Sequence, residues 1–336
     1  MVTSDNRPMP PAPSIRRTLR HPQFRALWAS GSIYFVGNAM QTMAAAWMMV
    51  EMTGSSFLAA LVQTAVFLPM FLFSLPAGVL ADITDRRRLI LVALGVQAGV
   101  GTLLAGLMLG HIGGAGTVLL FIFLSGCCTA LLSPAWQSSI ADSVPRHELP
   151  QAITAVGIAY NAARAIGPAL AGVVFLHISG SWNFVLAVIS TLVMMRAIRR
   201  WPPKAHPPTR LPAERLWGGM LSALRFAWHS HTVFSQLVRA GAYCAAGSAL
   251  WALLPVIGQQ QLNLGAAGFG LMMACLGIGA VVAGFLIGRL RIRFGLERLV
   301  AGGCMLFAAV MLTAAYSEWH LPVYVRWCWA AEPGWQ

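Results

Sequence analysis

Long apolar segments alternate with short polar connections along almost the whole chain. A run of about 20 apolar residues crosses the hydrocarbon of a bilayer, and about nine runs here reach that length. Each is predicted to form a membrane-spanning helix. They cover Phe24–Val50, Phe57–Leu80, Leu89–Leu109, Val118–Ile140, Gln151–Leu176, Trp182–Arg196, Val233–Ile257, Phe269–Gly288 and Leu299–Tyr316. The pattern predicts an all-α membrane protein.

Composition supports that prediction, because 57% of the residues are apolar and only 10% are charged. A soluble domain carries about 25% charged residues. The net charge of +13 would suggest a nucleic-acid partner in a soluble protein. In a membrane protein, positive charge instead marks the cytoplasmic side and faces anionic headgroups. We therefore expect membrane lipids, and no nucleic acid, as partners.

The basic residues fall at alternate ends of the apolar segments. Twenty of the 23 Lys and Arg residues lie in the amino-terminal arm or in the connections after the second, fourth, sixth and eighth segments. The positive-inside rule places these parts in the cytoplasm. We expect a multi-pass protein of the cytoplasmic (inner) membrane with a cytoplasmic N-terminus.

The chain divides into five parts. A cytoplasmic arm (1–23) precedes a first bundle of six segments (24–198), a Pro-rich basic linker with an amphipathic helix (199–230), a second bundle of three segments (231–316) and a Trp-rich tail (317–336). The second bundle begins to repeat the first, since Gly78–Asp82 and Gly284–Gly288 each close a segment ahead of an arginine cluster. Repeats of six spans are one transporter architecture, so about twelve helices are expected and the chain is interpreted as truncated.

The connection after the second segment carries a charged motif: Gly78, Asp82, Asp85, Arg86, Arg87 and Arg88. A glycine there permits close approach of another helix. Carboxylates beside guanidinium groups can form a latch that makes and breaks as the protein changes conformation. The alternative is an ordinary positive-inside loop.

This motif resembles the loop signature of the major facilitator superfamily, Gly-x-x-x-Asp-x-x-Gly-Arg-[Arg/Lys], with Asp85 in place of the second glycine. Met52–Ser55, Val144–Leu149 and Ala252–Pro255 are similar to the branch called transmembrane secretion effectors. The resemblance covers Leu19–Tyr316, without the final spans of the family. It implies the major facilitator fold, export of a small molecule by rocking of two halves, and protons as a coupling ion.

A second motif lies in the fifth segment and includes Asn161, Arg164, Gly167, Pro168 and Gly172. Gly167-Pro168 weakens a helix, and the small residues permit close packing. The motif is similar to the fifth-helix signature of exporting facilitators, which implies a bend that favours export. The alternative is a kinked packing helix without a directional role.

Arg164 lies about 20 Å from the cytoplasmic end of its helix, too deep for its side chain to reach the surface. It either attracts an anionic or acceptor-rich substrate in a central cavity or is tied to neighbouring helices. Asn38 and Gln41 share one face of the first segment and either line that cavity or bond a neighbouring helix.

None of the ten Asp and Glu residues lies inside a span, so a proton carrier is not evident. Neither metal-ligand spacing nor an enzymatic motif occurs, and we expect no cofactor, no metal and no enzymatic activity. The sequence indicates an exporter of a small amphipathic molecule, such as a siderophore or drug, by secondary active transport. The alternative is a truncated remnant that does not transport.

Overall fold

The computed structural model describes residues 15–200, 216–256 and 295–316, together with single positions between 268 and 294. Within these ranges all regular secondary structure is helical, as the sequence predicts. The helices are α1 Ile15–Thr18, α2 Pro22–Thr53, α3 Ser56–Ile83, α4 Arg86–Leu109, α5 Ala115–Asp142, α6 Leu149–His177, α7 Trp182–Arg199, α8 Leu216–His229, α9 His231–Val256 and α10 Leu296–Tyr316, with a 3₁₀ turn at Arg146–Glu148 before α6.

Capping residues at the helix ends stabilise the short turns between the first helices. Gly54 ends α2 in the left-handed conformation (φ 64°), and its N–H donates to Val50 O at 2.8 Å. This conformation favours glycine, because other residues are strained there. Ser55 then caps α3 by accepting from the N–H of Leu58, and Asp85 caps α4 by accepting from the N–H of Arg88 at 2.9 Å. Each cap satisfies a backbone donor that the helix start leaves unpaired.

Five of the described helices, α3 to α7, are long and apolar enough to cross a membrane. The predicted first span, Phe24–Val50, lies inside α2, which has 32 residues but is more polar than α3 to α7. Its polar residues turn largely toward the interior of the bundle, where α2 packs against α6 and α7. A helix surrounded by other helices has less contact with lipid, so it needs less apolar surface.

The first bundle has two apolar clusters at different heights. One contains Phe24, Ile90, Trp136 and Ile198, near the ends of the helices that carry the arginine-rich loops. The other contains different buried apolar residues of the same helices, among them Met49, Val62, Leu104, Met108, Ile122 and Phe184. The helices α2, α4 and α5 contribute to both clusters, so their middle turns lie between the two.

Several sequence predictions concern residues outside the described part. Most of the linker 199–230 before α8, most of the eighth segment and the tail 317–336 lie there. The described α8 occupies the place where the sequence predicts an amphipathic helix, and it packs against α3 and α9.

Candidate functional site

Helix α6 has two exposed sides with different chemistry. On one side Ile166, Leu170 and Val173 are each about half exposed, and all are aliphatic. The other side carries the polar residues Tyr160, Asn161 and Arg164, which are half-buried or exposed. An aliphatic surface suits contact with lipid, whereas a polar surface at the same depth requires water or a polar partner.

Arg164 lies on the polar side, about 22 Å along α6 from Leu149 at a rise of 1.5 Å per residue. Its side chain is half-buried. Pro168 lies one turn further on and has no N–H to donate to the carbonyl oxygen of Arg164. The helix nevertheless continues through Pro168 to His177. The guanidinium group and a proline that weakens the backbone therefore share one part of the helix.

The small residues of α6 bring other helices close to this part. A Cβ atom added at Gly167 would lie 2.6 Å from Cβ of Ala39 and 3.0 Å from the carbonyl oxygen of Val36, both in α2. On another side, Gly277 of the second half approaches the backbone of Ala165 so closely that a side chain there has no room. The polar side of α6 thus lies between α2 and the second half of the chain.

Other residues of the motif that the sequence predicts in α6 have different positions. Pro168 and Gly172 are buried. The side-chain amide of Asn161 donates within α6, to the carbonyl oxygen of Gly157 at 3.0 Å. Arg164 and Tyr160 lie one helical turn apart on this side of α6.

The two polar residues of the first segment have different positions. Gln41 is 6% exposed, and its Nε2 donates to Oγ of Ser125 in α5 at 3.4 Å. Of the two roles that the sequence leaves open, the structure gives Gln41 the bond to a neighbouring helix. Asn38 is half-buried, so a place along a cavity stays a prediction for it.

Gln41 belongs to a set of buried polar residues that we call the polar layer: Tyr34, Gln41, Gln97, Ser125 and Thr129. The hydroxyl of Tyr34 donates to Oε1 of Gln97 at 3.0 Å and lies 3.3 Å from Oγ1 of Thr129. The layer joins α2, α4 and α5 between the two apolar clusters. Gln97 of α4 thereby has a hydrogen-bond partner on a neighbouring helix.

The arginine-rich loop between α3 and α4 holds the first bundle together at one end. Nη1 of Arg86 lies 2.6 Å from Oδ2 of Asp142, the last residue of α5. Arg87 donates to the carbonyl oxygens of Ile198 and Arg199 at the end of α7, at 3.2 and 2.6 Å. These contacts connect α4 to two other helices.

The remaining residues of the predicted latch have other positions. Asp85 caps α4, while Asp82 is exposed and forms no ion pair with Arg86–Arg88. No described atom lies within 4 Å of the place where a Cβ atom of Gly78 would be, so this part of the chain does not show the close approach that the sequence suggests. The acid that meets Arg86 is Asp142 at the end of α5. A latching role for this loop stays a prediction.

Sequence reasoning missed a second charged cluster near the same end of the bundle. Glu148, just before α6, has a side chain only 3% exposed. Its Oε1 lies 3.1 Å from Nε of Arg17 in α1, and its Oε2 lies 3.0 Å from Nε2 of His21. This cluster ties the amino-terminal arm to α6. A signal was present in the sequence, because Glu148 is an acid in a loop that the positive-inside rule predicts to carry an excess of Lys and Arg.

No three His, Cys, Asp or Glu side chains come close enough to hold a metal ion in the part of the chain that the structure describes. The polar side chains of the polar layer and of the exposed polar side of α6 carry guanidinium, hydroxyl and amide groups. These groups bind a ligand by charge and hydrogen bonding.

The same arrangement of helices occurs in solved transporter structures. The chain is similar to a bacterial homologue of the human lysosomal transporter Spinster in an inward-facing, unoccupied conformation, with a TM-score of 0.65, 17% identity, and coverage of 92% of this chain and 71% of that one. It is also similar to a D-xylose–proton symporter, with a TM-score of 0.56, 14% identity, and coverage of 92% and 79%. The chain shares the fold of these transporters.

The chain belongs to the transmembrane secretion effector family, whose model matches residues 14–326. Among its curated relatives is the enterobactin exporter EntS of Citrobacter koseri, 28% identical over 287 residues, which are 84% of this chain and 67% of that protein. EntS of Salmonella typhimurium is 27% identical over 305 residues, 89% of this chain and 72% of that protein. The family that the loop motifs indicate is thereby confirmed.

Proposed function

We propose that this protein exports a small amphipathic molecule of siderophore or drug type from the cytoplasm by alternating access. The relatives named enterobactin exporters support the direction of transport and the size of the cargo. The observation that carries most weight is the half-buried guanidinium group of Arg164 in the middle of α6. A charge at that depth requires water, a polar ligand or a polar partner within the protein, and a transport path along this helix would supply the first two.

In this proposal the cargo meets Arg164 at the boundary between the two halves. The approach of Gly277 to Ala165 supports that boundary, because it brings the second half against α6. Rocking of the halves about this line would expose Arg164 to each side in turn. The loop with Asp82, Asp85 and Arg86–Arg88 would lie in the cytoplasm and fix one of the two conformations.

The source of energy is also part of the proposal. Secondary transport by protons is an expectation from the family alone, since all ten acidic residues lie outside the predicted spans. The membrane potential acts on any charged cargo, at about 2.3 kcal/mol per charge per 100 mV. The dependence of export on either gradient can be measured by collapsing the pH difference and the potential separately.

The central test is export of enterobactin from a bacterial strain whose own exporter is deleted. We expect the wild-type chain to raise the extracellular amount and Arg164→Ala to abolish that increase at unchanged membrane abundance. Arg239→Ala is a matched control, because Arg239 is an exposed arginine near the start of α9. Unchanged export by Arg164→Ala would remove this residue from the mechanism. If the wild-type chain inserts into the membrane but exports neither enterobactin nor any of a panel of drugs, the alternative that this chain does not itself transport would be favoured.

Orientation needs a separate measurement. In a background without native cysteines, Arg88→Cys places a thiol in the first turn of α4 and Ile112→Cys places one just beyond its other end. We expect a membrane-impermeant maleimide added to intact cells to label Ile112→Cys and not Arg88→Cys. The reverse pattern would place the N-terminus outside the cytoplasm.

A further inference from the structure

Three aromatic residues from three helices meet beside Arg164, and nothing in the proposed function uses them. We call Phe35 of α2, Trp136 of α5 and Tyr160 of α6 the aromatic cluster. The ring of Phe35 meets the ring of Tyr160 edge to face, at 5.4 Å between centroids and 87° between planes. The same ring meets Trp136 at 6.4 Å and 89°. Edge-to-face geometry is a favourable arrangement for aromatic rings.

The cluster is closed at one end and open at the other. Trp136 is 6% exposed, and it lies so close to Gly31 that an added Cβ atom there would be 2.5 Å from its Cζ2. Tyr160 is 49% exposed. It lies on the polar side of α6, one turn before Arg164.

An ordinary role as a membrane-interface anchor does not fit Tyr160. Interfacial tyrosines lie at the headgroup level, near the ends of spanning helices. Tyr160 lies about 16 Å along α6 from Leu149, near the middle of the helix. An exposed phenol at this depth, beside an arginine, suits a ligand better than it suits lipid.

The indole of Trp136 closes the buried end of the cluster. Its Nε1–H is buried and meets no acceptor among the described residues. The indole of Trp28 in α2, by contrast, donates to the carbonyl oxygen of Ala155 at 2.8 Å. Trp136 therefore contributes its ring to the cluster through its edge-to-face contact with Phe35.

We infer that the aromatic cluster is the part of the substrate site that binds a planar aromatic group, with an acidic or acceptor oxygen of the same ligand directed to Arg164. This inference rests on the proposed function, because it describes the cargo of that same path. Tyr160 offers an open ring edge and face for stacking, and Arg164 offers charge one helical turn away, about 5.4 Å along the axis. The ligand class is an aromatic anion.

The test compares two ligands of equal charge and similar size, 2-naphthoate and its saturated counterpart decahydro-2-naphthoate. Binding to the purified full chain in detergent is measured by saturation-transfer NMR and equilibrium dialysis. Stacking on an aromatic residue is worth about 0.5 to 1.5 kcal/mol, so we expect 2-naphthoate to bind about two- to twelvefold more tightly. Equal affinities would overturn the inference.

Substitutions then test whether the preference for 2-naphthoate over its saturated counterpart depends on the aromatic cluster. Tyr160→Leu should remove it and Tyr160→Phe should retain it, since only the first removes the ring. Phe71→Leu is the control, because Phe71 is an aromatic residue of α3 that is 82% exposed and far in sequence from the cluster. A preference that survives in Tyr160→Leu would overturn the inference even if that variant folds less well, because it would show binding elsewhere.

The two proposals fail in different ways. Enterobactin export without any aromatic preference in binding would remove the aromatic subsite and leave the proposed function standing. Aromatic binding that depends on Tyr160, in a chain that exports nothing, would retain the subsite and contradict export.

Discussion

Arg86 in the first turn of α4 and Asp142 at the last turn of α5 form an ion pair with 2.6 Å between Nη1 and Oδ2. Each charge lies at the unfavourable end of its own helix. The start of a helix carries partial positive charge and its end partial negative charge, so an arginine at a start and an aspartate at an end are both repelled. Their pairing offsets both repulsions.

The ion pair gives a first prediction, tested by exchanging the charges. Arg86→Ala and Asp142→Ala should each lower thermal stability in detergent, with a coupling energy of about 0.2 to 1 kcal/mol, since both side chains are partly exposed. Arg86→Asp combined with Asp142→Arg should be at least as stable as the wild type, because each charge then suits its helix end. Arg88→Ala is the control, as its exposed side chain forms no hydrogen bond or ion pair in the described residues. A swapped protein less stable than both single variants would show that the pair does not act through these helix ends.

The second prediction concerns the contact between α6 and α2. Gly167→Ala places a Cβ atom 2.6 Å from Cβ of Ala39, against backbone atoms that have little freedom to move. We expect a loss of about 1 to 3 kcal/mol in stability, measured by thermal unfolding in detergent. Gly99→Ala is the matched control in α4, because nothing lies within 4 Å of its added Cβ atom. It should be neutral or slightly stabilising, since alanine favours helix. Equal effects of the two variants would contradict this packing.

Glu148 gives the third prediction. Glu148→Ala removes a buried carboxylate that meets Arg17 and His21, and we expect it to lower stability by about 1.5 to 3 kcal/mol. Glu148→Gln should cost less, because its amide oxygen still accepts a hydrogen bond. His147→Ala should change little, since His147 is 61% exposed and lies 3.7 Å from Glu148.

Limited proteolysis gives an independent measurement of the same cluster. Release of α1 from the bundle should speed cleavage in the amino-terminal arm of Glu148→Ala and not of His147→Ala. Unchanged cleavage and stability in Glu148→Ala would show that the arm is held by other contacts.

The sequence predicts the elements of the first bundle well, because long apolar segments have few alternatives in a membrane. The predicted segment Phe24–Val50 becomes helix Pro22–Thr53, a shift of two to three residues at each end. The depth of Arg164 was also predictable. Its position depends only on its distance along one helix, and helical rise converts that distance to ångströms.

Contacts between distant residues could not be predicted in the same way. Arg86 and Asp142 are 56 positions apart, and His21 and Glu148 are 127 apart. Helical periodicity tells which residues share a face, but not which face of another helix lies opposite. For the same reason Gly78 looked like a packing glycine, although no described atom lies near it. The aromatic cluster requires three helices to be in place before its members are seen as neighbours.

The polar layer has a consequence for movement. Tyr34, Gln97 and Thr129 tie α2, α4 and α5 together at mid-height, where no solvent stands ready to replace a broken hydrogen bond. If one of these helices slid along another by a single turn, at least one hydrogen-bond donor or acceptor would lose its partner. The three helices therefore move as one rigid body. Any passage through the protein opens where this rigid body meets the other helices.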